Sequence, residues 1–328
     1  MRCPVCEKKS FFPYLEIFDD RYGEPNKYKL VKCKKCNHIS TSPRLKEEDL
    51  ENLYGKYYPR KNLKINEIVS ESKKCQGIFS EFKRWFLGTN NQGQYYLKRG
   101  QKVLDIGCGS CVSILEAKSY GADVYGLETD TNIKSISEKL NLKIKFGTIY
   151  TQDLPANFFD VIIMNQVLEH FPDPDLSLKK LEKNLKSNGK MIIVIPNSNS
   201  FWKFITGIKW INWHVPYHLH HFNERNFRIM INKCNFKVTK KKTITPNIWT
   251  IMQIKSIFKR PIKGKPNKIW SVKINQNNIR TKKNINIRKT FSNFIKYTSH
   301  LILFLINRPI DTLGYGDSLI FFIKKKDR

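Results

Sequence analysis

The chain has 328 residues, 40% of them hydrophobic, and a formal net charge of +31. That length and apolar content exclude a wholly disordered chain and allow one large domain or two modest ones. The opening residues carry Cys, Glu and Lys where a secretory leader would be apolar, and the longest apolar run, "HLILFLI" at 300–306, falls far short of the roughly 20 residues a membrane span needs. A cytoplasmic protein is expected, with peripheral contact at a membrane surface left open. The charge has two readings: an acidic partner, such as nucleic acid, an anionic membrane or a charged glycan, or the joint abundance of Lys, Asn and Ile that an A/T-rich genome would encode.

Eight cysteines in a chain of this kind argue for reduced thiols and metal binding over disulfides. Cys3-Pro-Val-Cys6 and Cys33-Lys-Lys-Cys36 form two C-x-x-C pairs. Each pair, in a tight turn, aims two thiolates at one ion, and the loop between them brings the second pair back to complete a tetrahedron. Four protein ligands leave no open position, so the expected zinc is structural. This segment is assigned to 1–45, with His38 as a neighbour, and a helical linker is expected over 46–98.

"QKVLDIGCGSCVS" at 101–113 holds a third C-x-x-C, Cys108 and Cys111, inside a glycine loop. "KVLDI" reads as a buried parallel strand, "CVSILEAKSYGA" as a helix, and "DVYGLE" as a second strand ending in Glu128. Strand, glycine loop, helix, strand and acid make the first half of a Rossmann-like unit, where an acid can accept both hydroxyls of a ribose. A dinucleotide site would have glycine where Val112 stands.

The stretch resembles the D-x-G-x-G motif of class I S-adenosylmethionine-dependent methyltransferases. The resemblance implies that Asp105, Gly107 and Gly109 line the methionine end of S-adenosylmethionine and that Glu128 takes the ribose. The third glycine common in that family is Cys111 here. It further implies that the loop after a third strand at 142–149 covers the adenine through Gly147, Thr148 and Ile149, with Thr148 where an acid often sits. A fourth strand opens at Asp160, and "NQVLEH" lies at its carboxyl end, which makes Asn165 a cofactor contact. A helix stopped by Gly189, a fifth strand, a further helix and strand, and a final antiparallel strand at 318–324 complete the expected sheet. The fold expected is therefore an α/β, Rossmann-like methyltransferase sheet over 99–245. A zinc ribbon precedes it, a basic helical insert follows at 246–310, and 311–328 closes the sheet.

The paired C-x-x-C, "DDRYGEP" at 19–25, "YGKYYP" at 54–59 and "HVPYHLHHFN" at 214–223 resemble a subgroup of these enzymes linked to sugar, glycan or secondary-metabolite modification. His170, following Glu169, is a candidate base or substrate contact. Ubiquinone-type O-methyltransferases resemble this segment and hold a divalent ion with a Glu and the Glu-His pair, but Gln166 replaces the first acid here. His214, His218, His220 and His221 read as a lid over the acceptor, with His218 and His220 as further base candidates and a metal cluster as the other reading. Trp202, Trp210 and Trp213 suit either packing or stacking on a sugar or aromatic acceptor.

From Arg225 to Ile310 there is no Asp or Glu. That insert suits an anionic membrane or lipid-linked acceptor, RNA, or a loosely ordered segment with no partner whose apolar part still packs. No recognised RNA module accompanies it, and its basic runs lack interleaved aromatics. The expected activity is methyl transfer to a small-molecule or sugar-type acceptor, free, nucleotide-linked or lipid-linked. RNA methylation and a cofactor-binding protein that no longer transfers are the alternatives.

Overall fold

A computed structural model of the chain describes residues 2–58, 63–74, 77, 79–258, 261–267, 269–270 and 285–326. The N-terminal segment contributes β1 (Phe11–Phe18), β2 (Lys27–Cys33) and β3 (Ile39–Ser42), followed by α1 (Glu47–Tyr57), α2 (Ile65–Lys73) and α3 (Ser80–Leu87). Then β4 (Lys102–Ile106), α4 (Val112–Ser119), β5 (Asp123–Glu128), α5 (Lys134–Lys139), β6 (Lys143–Phe146) and β7 (Phe159–Asn165) alternate. They are followed by α6 (Pro174–Glu182), β8 (Leu185–Pro196), α7 (Phe201–Thr206), β9 (His220–His221), α8 (Glu224–Lys233) and β10 (Phe236–Ile244). The chain ends with α9 (Asn247–Phe258), α10 (Ile285–Thr312) and β11 (Ser318–Lys325).

Seven strands form the main sheet in the order β10-β11-β8-β7-β4-β5-β6. The pairs from β8 to β6 are parallel, and β11 lies antiparallel between β8 and β10. The continuous apolar runs of β4, β7 and β8 follow from this placement, since strands covered on both faces have no side for water. Two buried clusters fill the two faces, one centred on Leu104, Ile162 and Phe321 and the other on Val103, Ile163 and Ile320. Strand order reverses between β4, with β5 beyond it, and β7. The chain leaves both β4 and β7 at their carboxyl ends, so a crevice opens there.

A second, four-stranded antiparallel sheet runs β1-β2-β3-β9. Its last strand is only His220–His221, supplied by the histidine run, so the ribbon is sewn onto the main domain through β3. Trp210 and Trp213 are buried with Leu30 and Ile39 in the cluster under this sheet. They pack the ribbon and are not available to stack on an acceptor.

Two expectations change. The third strand stops at Phe146, because Gly147 turns the chain at φ 140°. Gly189 does not stop a helix: it lies inside β8. The helix before it, α6, ends at Glu182, and Asn184 fixes the exit by donating to the Leu154 and Pro155 carbonyls. The described helices of the basic insert pack on the domain. Asn307 of α10 bonds Asn247 and Thr250 of α9, and Gln253 donates to Asp317 at the start of β11. The basic residues of 271–284 lie outside the described residues.

Candidate active site

The β4 loop is built to let backbone approach a ligand. Gly107 and Gly109 both have positive φ, at 67° and 56°. A Cβ on Gly107 would come within 2.7 Å of Val167, so the close approach of the β4 and β7 loops requires glycine. Cys111 caps α4 from the left-handed region. Cys108 and Cys111 are buried, and burial pushes both thiols up, Cys111 to about 11. They are loop and helix-start residues, and among the described residues they join no metal-ligating group.

A cavity of about 420 Å³ opens at the carboxyl ends of β4, β5, β6 and β7. Gly107, Glu128, Gly147, Thr148, Ile149 and Asn165, all expected at a cofactor, stand on its wall. Glu128 ends β5 and is 4% exposed. Its Oε2 accepts from the Gly109 N–H at 2.6 Å, and its Oε1 accepts from the Thr129 and Asp130 N–H groups at 2.9 and 3.0 Å. Asn165 is held by Gly93 and Gln94: Gly93 N–H donates to its Oδ1 at 2.6 Å and its Nδ2 donates to Gln94 Oε1 at 3.0 Å.

Gly109 and Asp105 stand behind the wall. Asp105 is buried, accepts from Ser113 Oγ at 2.5 Å, and its Oδ1 has no partner among the described residues. Burial first, and then the charge of Glu128, push its carboxyl up to about 7 against the Ser113 hydrogen bond. A raised carboxyl stabilises the fold below its unfolded pKa and loses that contribution as pH climbs through the folded one. Asp105→Asn is therefore expected to unfold later than the parent chain at pH 7 and above, by up to ~4 kcal/mol. The difference should close toward pH ~4. Denaturant titrations at four pH values check it, and a constant difference would reject the assignment.

The opposite wall is aromatic. Tyr54 and Tyr58 of the 54–59 stretch line the cavity with His170, and Tyr54 Oη lies 2.9 Å from His170 Nδ1. Behind them, Tyr22 packs edge-on against Tyr58 at 5.0 Å and against Tyr217 at 5.6 Å, and Tyr217 lies 5.0 Å from His214. Asp19 shapes the 19–25 turn by accepting from the Arg21, Tyr22 and Glu24 N–H groups. Three stretches far apart in sequence thus meet over one crevice.

His170 reaches inward as well as outward. Its ring is 4.7 Å from that of His218, which is also 4.7 Å from His214. His218 Nδ1 lies 2.9 Å from the Asn212 carbonyl, and its Nε2 lies 3.9 Å from Glu169 Oε1. Both Glu169 oxygens, His214 Nε2 and the Tyr217 hydroxyl are buried without a hydrogen-bond partner among the described residues. Burial raises Glu169 to about 8 and drives His218 well below the usual histidine range. Both therefore favour their neutral forms. Glu169, His170 and His218 each offer one ligand atom within 4.8 Å of the others, a nitrogen and oxygen set that could hold a divalent ion. His218 makes this group where Gln166, bonded to Ser318, does not.

His220 is a correction. It lies in β9, off the cavity wall, with Nδ1 3.1 Å from His38 Nε2 and Nε2 3.3 Å from the Pro172 carbonyl. The ring is buried in the seam between ribbon and domain, with both nitrogens engaged there. Sequence reasoning missed Gly93 and Gln94, the α1 wall, and Thr129–Asn132 beside Glu128. The run "TDTN", three small polar residues and an acid directly after a strand-ending glutamate, was the available signal.

The ribbon thiols converge. Cys3 Sγ lies 3.6 Å from Cys36 Sγ, and Cys6 Sγ 3.6 Å from Cys33 Sγ. Disulfide sulfurs would be ~2 Å apart, whereas tetrahedral zinc with ~2.3 Å arms separates its sulfurs by ~3.8 Å. All four sulfurs lie within 4.8 Å of one another, so the donor set and its size fit zinc.

Residues 80–241 match the family described as "Methyltransferase domain". The ubiquinone biosynthesis O-methyltransferase of Bradyrhizobium diazoefficiens is 31% identical over 132 residues, covering 38% of this chain and 52% of that protein. The demethylmenaquinone methyltransferase of a Geobacillus species is 25% identical over 157 residues, covering 45% and 62%. The chain thus spans about half the length of the first of these relatives. The 1,6-didemethyltoxoflavin-N1-methyltransferase of Burkholderia thailandensis, solved with 1,6-didemethyltoxoflavin and S-adenosylhomocysteine, is 11% identical. It covers 93% of this chain and 100% of that one at a TM-score of 0.45. With the strand order and the glycine loop, the family match shows that this chain carries a class I S-adenosylmethionine-dependent methyltransferase domain over residues 80–241.

Proposed function

We propose that the protein transfers a methyl group from S-adenosylmethionine to a hydroxyl of a small polar acceptor, of sugar type first. One observation carries this reading. The glycine loop, Glu128 and Asn165 share a single cavity with Tyr54, Tyr58 and His170, so a cofactor face and an acceptor face oppose each other across it. S-adenosylmethionine supplies a methyl carbon already activated by its sulfonium. What remains for the chain is alignment, exclusion of water and removal of one proton. Glu128 and Asn165 orient the ribose side, and Asp105 and Gly109, one layer behind, hold the loop toward the methionine side. Tyr54 and Tyr58 offer ring faces to an acceptor. His170 takes the hydroxyl proton, and His218 and Glu169 position it from behind. The O-methyltransferases of quinone biosynthesis among the relatives support an oxygen acceptor. The ribbon thiols hold a structural zinc.

The test is to incubate the full chain with methyl-labelled S-adenosylmethionine and a cell extract, then fractionate the products. Label in small molecules or glycans supports the proposal, and label confined to RNA overturns the acceptor class. Cofactor binding with no label in any fraction favours a binding protein.

His170→Gln should lower kcat by ~10²–10³-fold and leave the cofactor dissociation constant within about twofold. If kcat is unchanged, His170 is not the base. Activity that falls in chelator and returns with added divalent metal would instead assign Glu169, His170 and His218 to an ion.

A further inference from the structure

Helices α3, α7, α9 and α10 form a layer with an apolar outer face. α10 packs on α3, α9 and β10, and α9 packs on α7. Inside the layer, Phe304 meets Trp85 edge-on at 4.8 Å and stacks on Phe86 at 5.0 Å. Outside it, Phe82, Phe204 and Phe258 are 60%, 84% and 81% exposed. Leu301, Ile302 and Leu305 of α10 are each at least half exposed. Single exposed apolar residues need no explanation, but this many on four packed helices do. The layer is also firm, because Asn307 ties α10 to α9 and accepts from Trp202 Nε1 of α7 at 2.9 Å.

Its position and charge point to what covers it. The insert leaves the sheet at Ile244 and returns at Ser318, which pairs with Pro196 at the carboxyl end of β8. That is the rim on which the cavity opens. The segment from Arg225 to Ile310 has no Asp or Glu, Lys83 of α3 and Lys255 of α9 are exposed on the layer's own helices, and Lys263 and Lys265 are exposed in the stretch after α9. Glu81 on α3 is an exposed exception, while Asp311 of α10 is buried against Arg308. Among the described residues no helix is long and apolar enough to cross a membrane.

We infer that this face seats on the surface of an anionic lipid bilayer. The exposed Phe and Leu side chains enter the headgroup–acyl boundary, and the lysines meet the anionic headgroups. A second copy of the chain is disfavoured as the occupant, because closing the same face on itself would bring two acid-free basic segments together. Lipid contact here stands apart from methyl transfer and can be tested without it.

The experiment is flotation of the full chain with phosphatidylcholine vesicles, with and without phosphatidylglycerol, at low and high salt. The parent chain should float with the mixed vesicles and bind at least ~10-fold less to neutral ones or in high salt. Phe258→Ser with Leu305→Gln, both at exposed positions, should bind mixed vesicles ~10-fold less while retaining the parent's circular dichroism and melting temperature. Failure to float with mixed vesicles overturns the inference, as does equal flotation of parent and variant. It is also overturned if sedimentation shows a parent dimer that the variant breaks.

Discussion

Glu128→Gln is expected to weaken S-adenosylmethionine binding by ~10–100-fold in titration calorimetry, with the melting temperature moved by only a few degrees. The carboxylate is poised at the end of β5 by three backbone N–H groups, from Gly109, Thr129 and Asp130. Those bonds hold the carboxylate at the cavity wall, where it is placed to accept from a ribose hydroxyl. A carboxamide has one accepting oxygen, so at least one charge-assisted bond is lost, at ~1.5–3 kcal/mol. Glutamine also turns an NH₂ toward an N–H it cannot accept from, which loosens the glycine loop. Alanine would remove the loop anchor altogether and confuse the two effects. Glu128→Asp separates them: it keeps the charge and shortens the reach, so binding should fall while salt dependence stays. Unchanged affinity in Glu128→Gln would sink the ribose assignment. A loss of affinity accompanied by a large drop in melting temperature would mean that loop collapse dominates.

The cavity wall built from β4, β5 and the glycine loop was legible in the sequence because it is local. The run from Lys102 to Glu128 encodes strand, loop, helix and strand within one unit, and apolar runs with a glycine loop between them have few other solutions. The closing strand was legible for the same reason: Ser318–Lys325 is a short, nearly unbroken apolar run. The aromatic wall was not, because its contacts span the chain. Tyr54 meets His170 and His38 meets His220 across 116 and 182 positions. The sequence marks 19–25, 54–59 and 214–223 as unusual but carries no sign that they touch. His220 shows the limit well. Only the pairing of β3 with β9 separates it from His218, two residues away, and two histidines on one short run look alike until one of them enters a sheet. Gly189 misled because glycine ends helices often, yet Leu185–Pro196 had β-branched residues enough to extend a strand through it.

Cys33→Ser should cost the protein its ribbon metal, from about one equivalent to almost none by elemental analysis, and lower the melting temperature by roughly 5–10 °C. Cys33 ends β2, and its sulfur is one of the four, all within 4.8 Å of one another, that are proposed to hold the metal. Without the ion, the three remaining sulfurs lose what would hold them together, and the segment keeps the small core around Leu30 and Ile39 and the packing of Val5 on the main cluster. The damage should pass into the site by a defined route. β3 would lose its register against β9, the His38–His220 contact would break, and Tyr22 would no longer pack on Tyr58 and Tyr217. The glycine loop and Glu128 belong to β4 and β5 and share none of these contacts. Cofactor affinity should therefore change by less than about threefold, while the KM for the acceptor rises by at least ~10-fold. Full zinc content in the variant would refute the four-cysteine site. Metal loss with acceptor KM unchanged would show that the ribbon is only fastened to the site and does not shape it.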